Sequence, residues 1–409
     1  MIRRIKIKNF RSLNVDFKLD PVTVLIGRSG TGKTNFVEAL RFLREVVQSG
    51  ITHDENNIFP LTKNEKDLQI EYEIEFDITP STDIFCYQLT IKKAQSFADI
   101  WSEIISETFS INNEIIINRK NPKYKEEKKT ERRLIRPGKT TRSDEQIHAY
   151  DGEVDYKAFK DSNDFSKCRF STLQGNQKVA IARIALTQGL ACYDFPGSVC
   201  AGVKNNVQKN SGLSDHAENY SEIFTAISKD LSKLQSWNEI NKALKNLNST
   251  VGTVEFNPQN EQEIQVSHKF DDHVVSFNIA KESEGFRRFF AHLLAVYQNP
   301  PKQTLVFEEP ERGIHPGALQ SLAEILKTTP EEGRGQVILT THSPQLLDHF
   351  EADSIRAVVM ENGETKIGRI EKGQMEAIKE ELLLPGELLT VTDAMIAHEE
   401  STEESANAS

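Results

Sequence analysis

The sequence predicts an α/β protein: a mixed sheet around a glycine-rich turn, an antiparallel β-subdomain, and an inserted lobe of helices and basic residues. Three observations predict it. In "VLIGRSGTGKTNFVEAL", Val24 to Leu40, an apolar run, a glycine turn and a helix-like stretch follow one another. Two further apolar runs, "TLVFEEPE" and "QVILTTHSP", end in polar residues, the layout of an open sheet whose ligands sit off the carboxyl ends of its strands. And "LQIEYEIEF" alternates with period two, Ile70, Tyr72, Ile74 and Phe76 on one face and Gln69, Glu71, Glu73 and Glu75 on the other. "DIFCYQLTIKK" is its expected antiparallel partner across "DITPST".

The elements follow in order. "MIRRIKIKNF" places Ile2, Ile5 and Ile7 among Arg3, Arg4, Lys6 and Lys8 and reads as a strand. A turn at "KLDP", a strand "VTVLI", the glycine loop and a helix to about Ser49 come next. Beyond residue 94 a strand-like "TFSINNEIIINR" leads into a basic stretch, 118–142, with eleven Lys and Arg against three Glu. Pro122, Pro137 and Gly138 interrupt that stretch, so a solvated loop and a DNA-contacting groove are both open readings. Helix-like runs follow at "NQKVAIARIALTQGL", "ENYSEIFTAISKDLSKLQ" and "SWNEINKALKNL". Then "QEIQVSHKF" and "HVVSFNIA" predict a hairpin across "DD", and "SEGFRRFFAHLLAVYQ" a helix. The tail "EESTEESANAS", four Glu and no aromatic residue, has the composition of a disordered segment. The expected organisation is 1–93 and 255–394 as two parts of one head, 94–254 as the inserted lobe, and 395–409 as the acidic tail.

Composition narrows the function. The 409 residues carry a formal net charge of −11, which argues against a dedicated nucleic-acid binder and leaves any DNA contact to the patch at 118–142. No apolar stretch approaches the roughly 18 residues needed to span a bilayer, and the N-terminus lacks the apolar block of a signal peptide. Cys86, Cys168, Cys192 and Cys200 form no CxxC pair and read as reduced thiols of a cytoplasmic protein.

The turn carries the chemistry. Gly27, Arg28, Ser29, Gly30, Thr31, Gly32, Lys33 and Thr34 fill the phosphate-loop pattern GxxxxGK[ST]. Its glycines let backbone N–H groups close around phosphates, and the helix beginning there adds the positive end of its dipole. Lys33 is expected on the β- and γ-phosphates and the Thr34 hydroxyl on Mg²⁺. In "LVFEEPERGIHP", Glu308 stands where such a site needs an acid on the metal side, and Glu309 where a general base polarises the attacking water. His342, ending "ILTTH", can reach the γ-phosphate side. In "KESEGFRRFF", Ser283 and Gly285 precede a helix bearing Arg287 and Arg288, which reads either as a helix cap or as a second anion site.

In this order the phosphate loop, the SxG segment, "VFEEPERGIHP" and "THSP" resemble the ATPase head of the ABC class. More narrowly they resemble the soluble AAA-21-type group, similar to RecF, SMC and OLD-family heads. "IKIKNFRSL" and "GKTNFVEAL" are similar to the start and first helix of that group, and the likeness spreads over about 1–92 and 254–350. The resemblance implies ATP and Mg²⁺ as ligands and a homodimer or higher homo-oligomer. Ser283, Gly285 and Arg287 would then meet ATP held by a second copy. Glu309 would be the catalytic base, Thr34 and Glu308 the magnesium side, His342 the switch histidine, and Asn35 a neighbour of the phosphates. Two positions depart from the pattern: Glu308 replaces the commoner Asp, and Glu282 replaces the usual Leu before the serine. "LSDHAENYSEIFTAI" and "LLPGELLTV" resemble single-head ATPases of bacterial defence against phage, which implies a separate, nuclease-like effector. A RecF-like DNA-repair ATPase and a non-hydrolysing interaction module stand as alternatives.

Overall fold

The computed structural model describes residues 1–51, 58–60, 68–95, 100–121, 166–173, 175–202, 212–228, 234–257 and 260–397. Most of the basic stretch 118–142 and most of the acidic tail therefore lie outside the described residues. The chain forms two compact units, 1–19 with 38–189 and 20–37 with 190–409. In chain order the first elements are β1 (Ile2–Phe10), β2 (Leu13–Lys18), β3 (Val22–Ile26), α1 (Lys33–Ser49), β4 (Gln69–Asp77), β5 (Ile84–Gln95), β6 (Ile100–Ile111), β7 (Glu114–Lys120), α2 (Arg169–Thr172) and α3 (Gln177–Leu186). Then come β8 (Leu190–Tyr193), α4 (Tyr220–Ser228), α5 (Leu234–Leu247), β9 (Val251–Asn257), β10 (Asn260–Phe270), β11 (His273–Asn278), α6 (Glu284–Tyr297) and β12 (Thr304–Glu308). The last are α7 (Leu319–Thr328), β13 (Gln336–Thr340), α8 (Pro344–Leu347), β14 (Ile355–Glu361), β15 (Glu364–Arg369), α9 (Lys372–Lys379) and α10 (Glu387–Thr390).

In the first unit the strands pair antiparallel in the order β7-β6-β5-β4-β1-β2. The period-two pattern sets the register. Ile5 faces Ile74 and Ile7 faces Tyr72, all buried, while Lys6 faces Glu73 and Lys8 faces Glu71 on the wet side. Arg4 holds Asp16, Glu73 and Glu75 together, at 2.7, 2.9 and 3.1 Å. Such exposed pairs add little stability, but a one-residue slip would break all of them and expose the apolar face. The turn between β1 and β2 uses left-handed backbone at Asn9 (φ 59°) and Arg11 (φ 49°). The run read as one strand over "TFSINNEIIINR" is a hairpin, folded at Asn112 and Asn113 (φ 50° and 68°). Glu107 is fully buried and accepts the Arg169 and Phe170 N–H groups at 2.6 and 2.9 Å and the Tyr87 hydroxyl at 3.0 Å. It thereby ties the start of α2 to the sheet.

In the second unit the order is β15-β14-β3-β13-β12-β8. All neighbours run parallel except the β14/β15 hairpin. The parallel strands are covered on both faces, which is why β8, β12 and β13 read as unbroken apolar runs instead of alternating ones. Helix α6 is buried along most of its length, from Phe286 to Tyr297. The predicted hairpin is present as β10 and β11, turning at Asp271 (φ 48°), and β9 adds a third strand to it. The four cysteines are free thiols, and among the described residues no helix is long and apolar enough to cross a membrane. The fold is thus the predicted mixed α/β one, with a small antiparallel sheet beside the main strands.

Candidate functional site

Register assembles the site. Thr340 of β13 pairs with Leu25 of β3 on one side and with Glu308 of β12 on the other. Three parallel strands therefore end level with one another. The glycine loop leaving β3, Glu309 leaving β12 and His342 just past β13 gather at one carboxyl edge.

The loop from Gly27 to Thr34 turns from β3 into α1 through Gly30 (φ 80°) and Gly32 (φ 103°). A side chain at Gly27 would strike the Val358 carbonyl, and one at Gly32 the Thr365 side chain, so the loop lies tight on β14 and β15. The Thr365 hydroxyl donates to the Thr31 carbonyl at 2.8 Å and fixes it there. On the other side Arg28, Ser29, Gly30 and Thr34 are exposed, and an added Cβ at Gly30 meets nothing within 4 Å. Lys33 is buried, its ammonium donating to the Gly27 and Arg28 carbonyls at 2.7 and 2.9 Å. Burial lowers its pKa to about 8, against the opposing pull of Glu309. Asn35 is half-buried in the first turn of α1. Arg28 leaves the loop to form a two-pronged ion pair with Asp393, at 2.6 and 2.7 Å.

Glu308 closes β12, half-buried. The next residue, Glu309, takes left-handed backbone (φ 45°), a conformation that costs a non-glycine residue about 1 kcal/mol or more and that collects at functional sites. Its N–H is shared between the Thr340 carbonyl and hydroxyl at 3.1 and 3.2 Å. Its carboxylate is gripped by Arg312 at 2.7 Å and stands 3.9 Å from His342 Nε2. Burial lowers the His342 pKa, helped by the positive Lys33 and Arg312 and opposed by Glu309, so the neutral ring is favoured. Glu311 lies beneath. One of its oxygens accepts the Thr341 hydroxyl at 2.8 Å and the His342 N–H at 2.9 Å, while the other is buried with no hydrogen-bond partner. Burial pushes its carboxyl pKa up.

The loop, Glu308, Glu309 and His342 thus come together. The SxG residues stand elsewhere on the same unit. Ser283 caps α6 by accepting the Phe286 N–H at 3.2 Å, and it lines a cleft of about 760 Å³ that no residue of the glycine loop borders. Gly285 is pressed on the Gly313 carbonyl, 2.7 Å from where a Cβ would be, so no side chain fits there. Arg287 turns into its own chain, donating to the Val199 and Gly197 carbonyls at 2.9 and 2.8 Å and to that of Glu282. Sequence reasoning missed Glu311, Arg312, Thr341 and Thr365, whose work is to hold the other groups in place. The "TTH" and "EEPER" strings did contain the signal, because both flank residues already singled out.

Among the described residues no cluster of three or more His, Cys, Asp or Glu could cage a metal. One hydroxyl, Thr34, and one strand-end carboxylate, Glu308, are what a magnesium ion bound mainly by phosphates and water requires. The donor set fits that role.

Two solved structures share this fold. An SMC head bound to the C-terminal winged-helix domain of ScpA is 12% identical, with a TM-score of 0.53, covering 92% of this chain and 99% of that one. An SMC head with an extended coiled coil, bound to the C-terminal domain of ScpA derived from Pyrococcus furiosus, is 13% identical, with a TM-score of 0.50, covering 93% and 99%. No curated protein matches the chain. The AAA_15 family, described as an AAA ATPase domain, matches residues 1–347. A family match over most of the chain, on a phosphate loop and acidic strand end that the fold brings to one edge, makes this protein a member of the AAA ATPase domain family.

Proposed function

We propose that the chain is an ATP-hydrolysing head that works in pairs, each copy completing the nucleotide site of the other. One observation carries this reading: Lys33, Glu308, Glu309 and His342, drawn from three segments, meet at the level ends of β3, β12 and β13. The loop amides, Lys33 and the N-terminus of α1 bind the phosphates of ATP, with Asn35 beside them. Thr34 and Glu308 hold Mg²⁺, which when bound neutralises phosphate charge. Glu309 takes a proton from the attacking water. Arg312 orients that carboxylate through the 2.7 Å ion pair and must release it for the step. His342, neutral, donates a hydrogen bond on the γ-phosphate side. Ser283 and the Gly285 N–H of a second copy close over the same phosphate.

Beyond turnover, the reading is that ATP-driven pairing holds and releases a separate effector, in bacterial defence against phage. The likeness of Leu383–Val391 to such ATPases supports it, and two heads of this fold were solved with a bound partner domain. The basic residues of β1 do not favour DNA binding there, because Arg3, Arg4 and Lys8 are each paired with an acid. The test is phosphate release from Mg-ATP by wild type, Lys33→Ala and Glu309→Gln. Lys33→Ala is expected to lose ATP binding. Glu309→Gln is expected to bind ATP and to turn over about 10²- to 10⁴-fold more slowly. Equal turnover by wild type and Glu309→Gln would overturn the reading.

A further inference from the structure

We infer that His268 is a positioning residue for the Ser283 segment, bridging the two walls of the cleft that this segment lines. The inference rests on the proposed role of Ser283 and deepens it. His268 lies on β10 and is buried, with its ring between Phe270 and Phe277 at centroid distances of 6.0 and 5.8 Å. Its Nε2 is 2.9 Å from Glu282 Oε1, and its Nδ1 is 2.8 Å from the Thr250 hydroxyl. That hydroxyl is in turn 2.9 Å from Asn248 Oδ1, an atom already identified as the amide oxygen because it accepts the Thr250 N–H at 3.0 Å.

The contacts form one continuous chain, Asn248–Thr250–His268–Glu282, with the imidazole joining the Thr250 hydroxyl on one side to the Glu282 carboxylate on the other. Both ends border the cleft: Asn248 and Ser249 on one wall, Glu282 and Ser283 on the other. Glu282 is further held through its carbonyl by Arg287, which also grips the Gly197 and Val199 carbonyls. Without the histidine, the side chain just before Ser283 loses its anchor while Ser283 keeps its cap on α6. This gives the departure at Glu282 a physical purpose: an acid there has a partner, which the usual leucine could not have.

The test compares His268→Ala, Glu282→Ala, the double variant and Glu282→Gln. Turnover of Mg-ATP is read beside equilibrium ATP binding and the thermal midpoint. His268→Ala and Glu282→Ala are each expected to lower kcat about 10-fold or more, in line with the cost of misplacing a site by about an ångström. ATP binding should stay within about twofold, because the glycine loop is untouched. The double variant should be no slower than either single one, since both remove the same bridge. Glu282→Gln keeps an acceptor oxygen for the ring and should recover most of the rate. Glu282 is partly accessible, so its variants report even if His268→Ala fails to fold. Wild-type kcat in Glu282→Ala, or losses that multiply in the double variant, would overturn the inference. If instead wild type and Glu309→Gln turn over equally, it is the ATPase reading itself that fails.

Discussion

Glu309 shows how much a single residue depends on neighbours that carry no chemistry of their own. Its left-handed backbone is held by two bonds to Thr340, and its carboxylate by Arg312. The residues legible in the sequence were those that belong to its motifs: Lys33, Glu308, Glu309 and His342. Glu311 was illegible because it works through a backbone N–H, which has no signature in a string of letters. Its replacement by alanine frees both Thr341 and His342. Turnover is expected to fall about 10- to 100-fold with ATP binding unchanged. Glu311→Gln keeps an oxygen for both bonds and gives the orphaned position an amide, so most of the rate should return. If adding His342→Ala slows Glu311→Ala by the same factor as it slows wild type, then Glu311 has a separate role; a double variant no slower than His342→Ala alone would show that Glu311 acts through His342.

At the scale of elements, hydrophobic period decided what could be read. The alternation of β1, β4 and β5 and the apolar runs of β3, β12 and β13 appeared where expected. Strands β2 and β9 and the fold-back between β6 and β7 did not. In the hairpins β1/β2 and β6/β7 the break is made by a polar residue tolerating left-handed backbone, such as Asn9 or Asn113, and not by a Gly or Pro that announces itself. Asn113→Ala should therefore cost about 1 kcal/mol of stability by denaturant titration, and Asn113→Gly close to nothing. Helix α6 gives a second prediction. His292 is buried, donates from Nδ1 to the Arg288 carbonyl at 2.7 Å, and packs on Phe195 and Phe307. Burial lowers its pKa to about 4. The unfolded chain, titrating near 6.5, binds a proton that the folded chain refuses. Stability should then fall as pH drops from about 6.5 to 4, by up to roughly 3 kcal/mol from this residue alone. His292→Gln, which keeps the donor but does not titrate, should flatten that part of the curve; an unchanged acid limb would assign the loss to other groups.

For the molecule as a whole, order along the chain was the most informative feature. No single motif determines a head of this kind, but a phosphate loop near the start and an acidic strand end and histidine some 300 residues later do, once parallel strands bring them level. The sequence resemblance pointed to the AAA-21 branch, and the family that matches is AAA_15. The solved heads share the fold at 12% and 13% identity, where packing persists after most side chains have changed. The central claim concerns two copies, because Ser283 and Gly285 line a cleft apart from their own glycine loop. The most direct test is the molar mass of Glu309→Gln by light scattering, with and without Mg-ATP. The expected result is a single-chain mass without nucleotide and a two-chain mass with it, the latter lost when Ser283 is replaced by Arg. A chain that binds ATP and keeps its single-chain mass would contradict a site completed by a second copy.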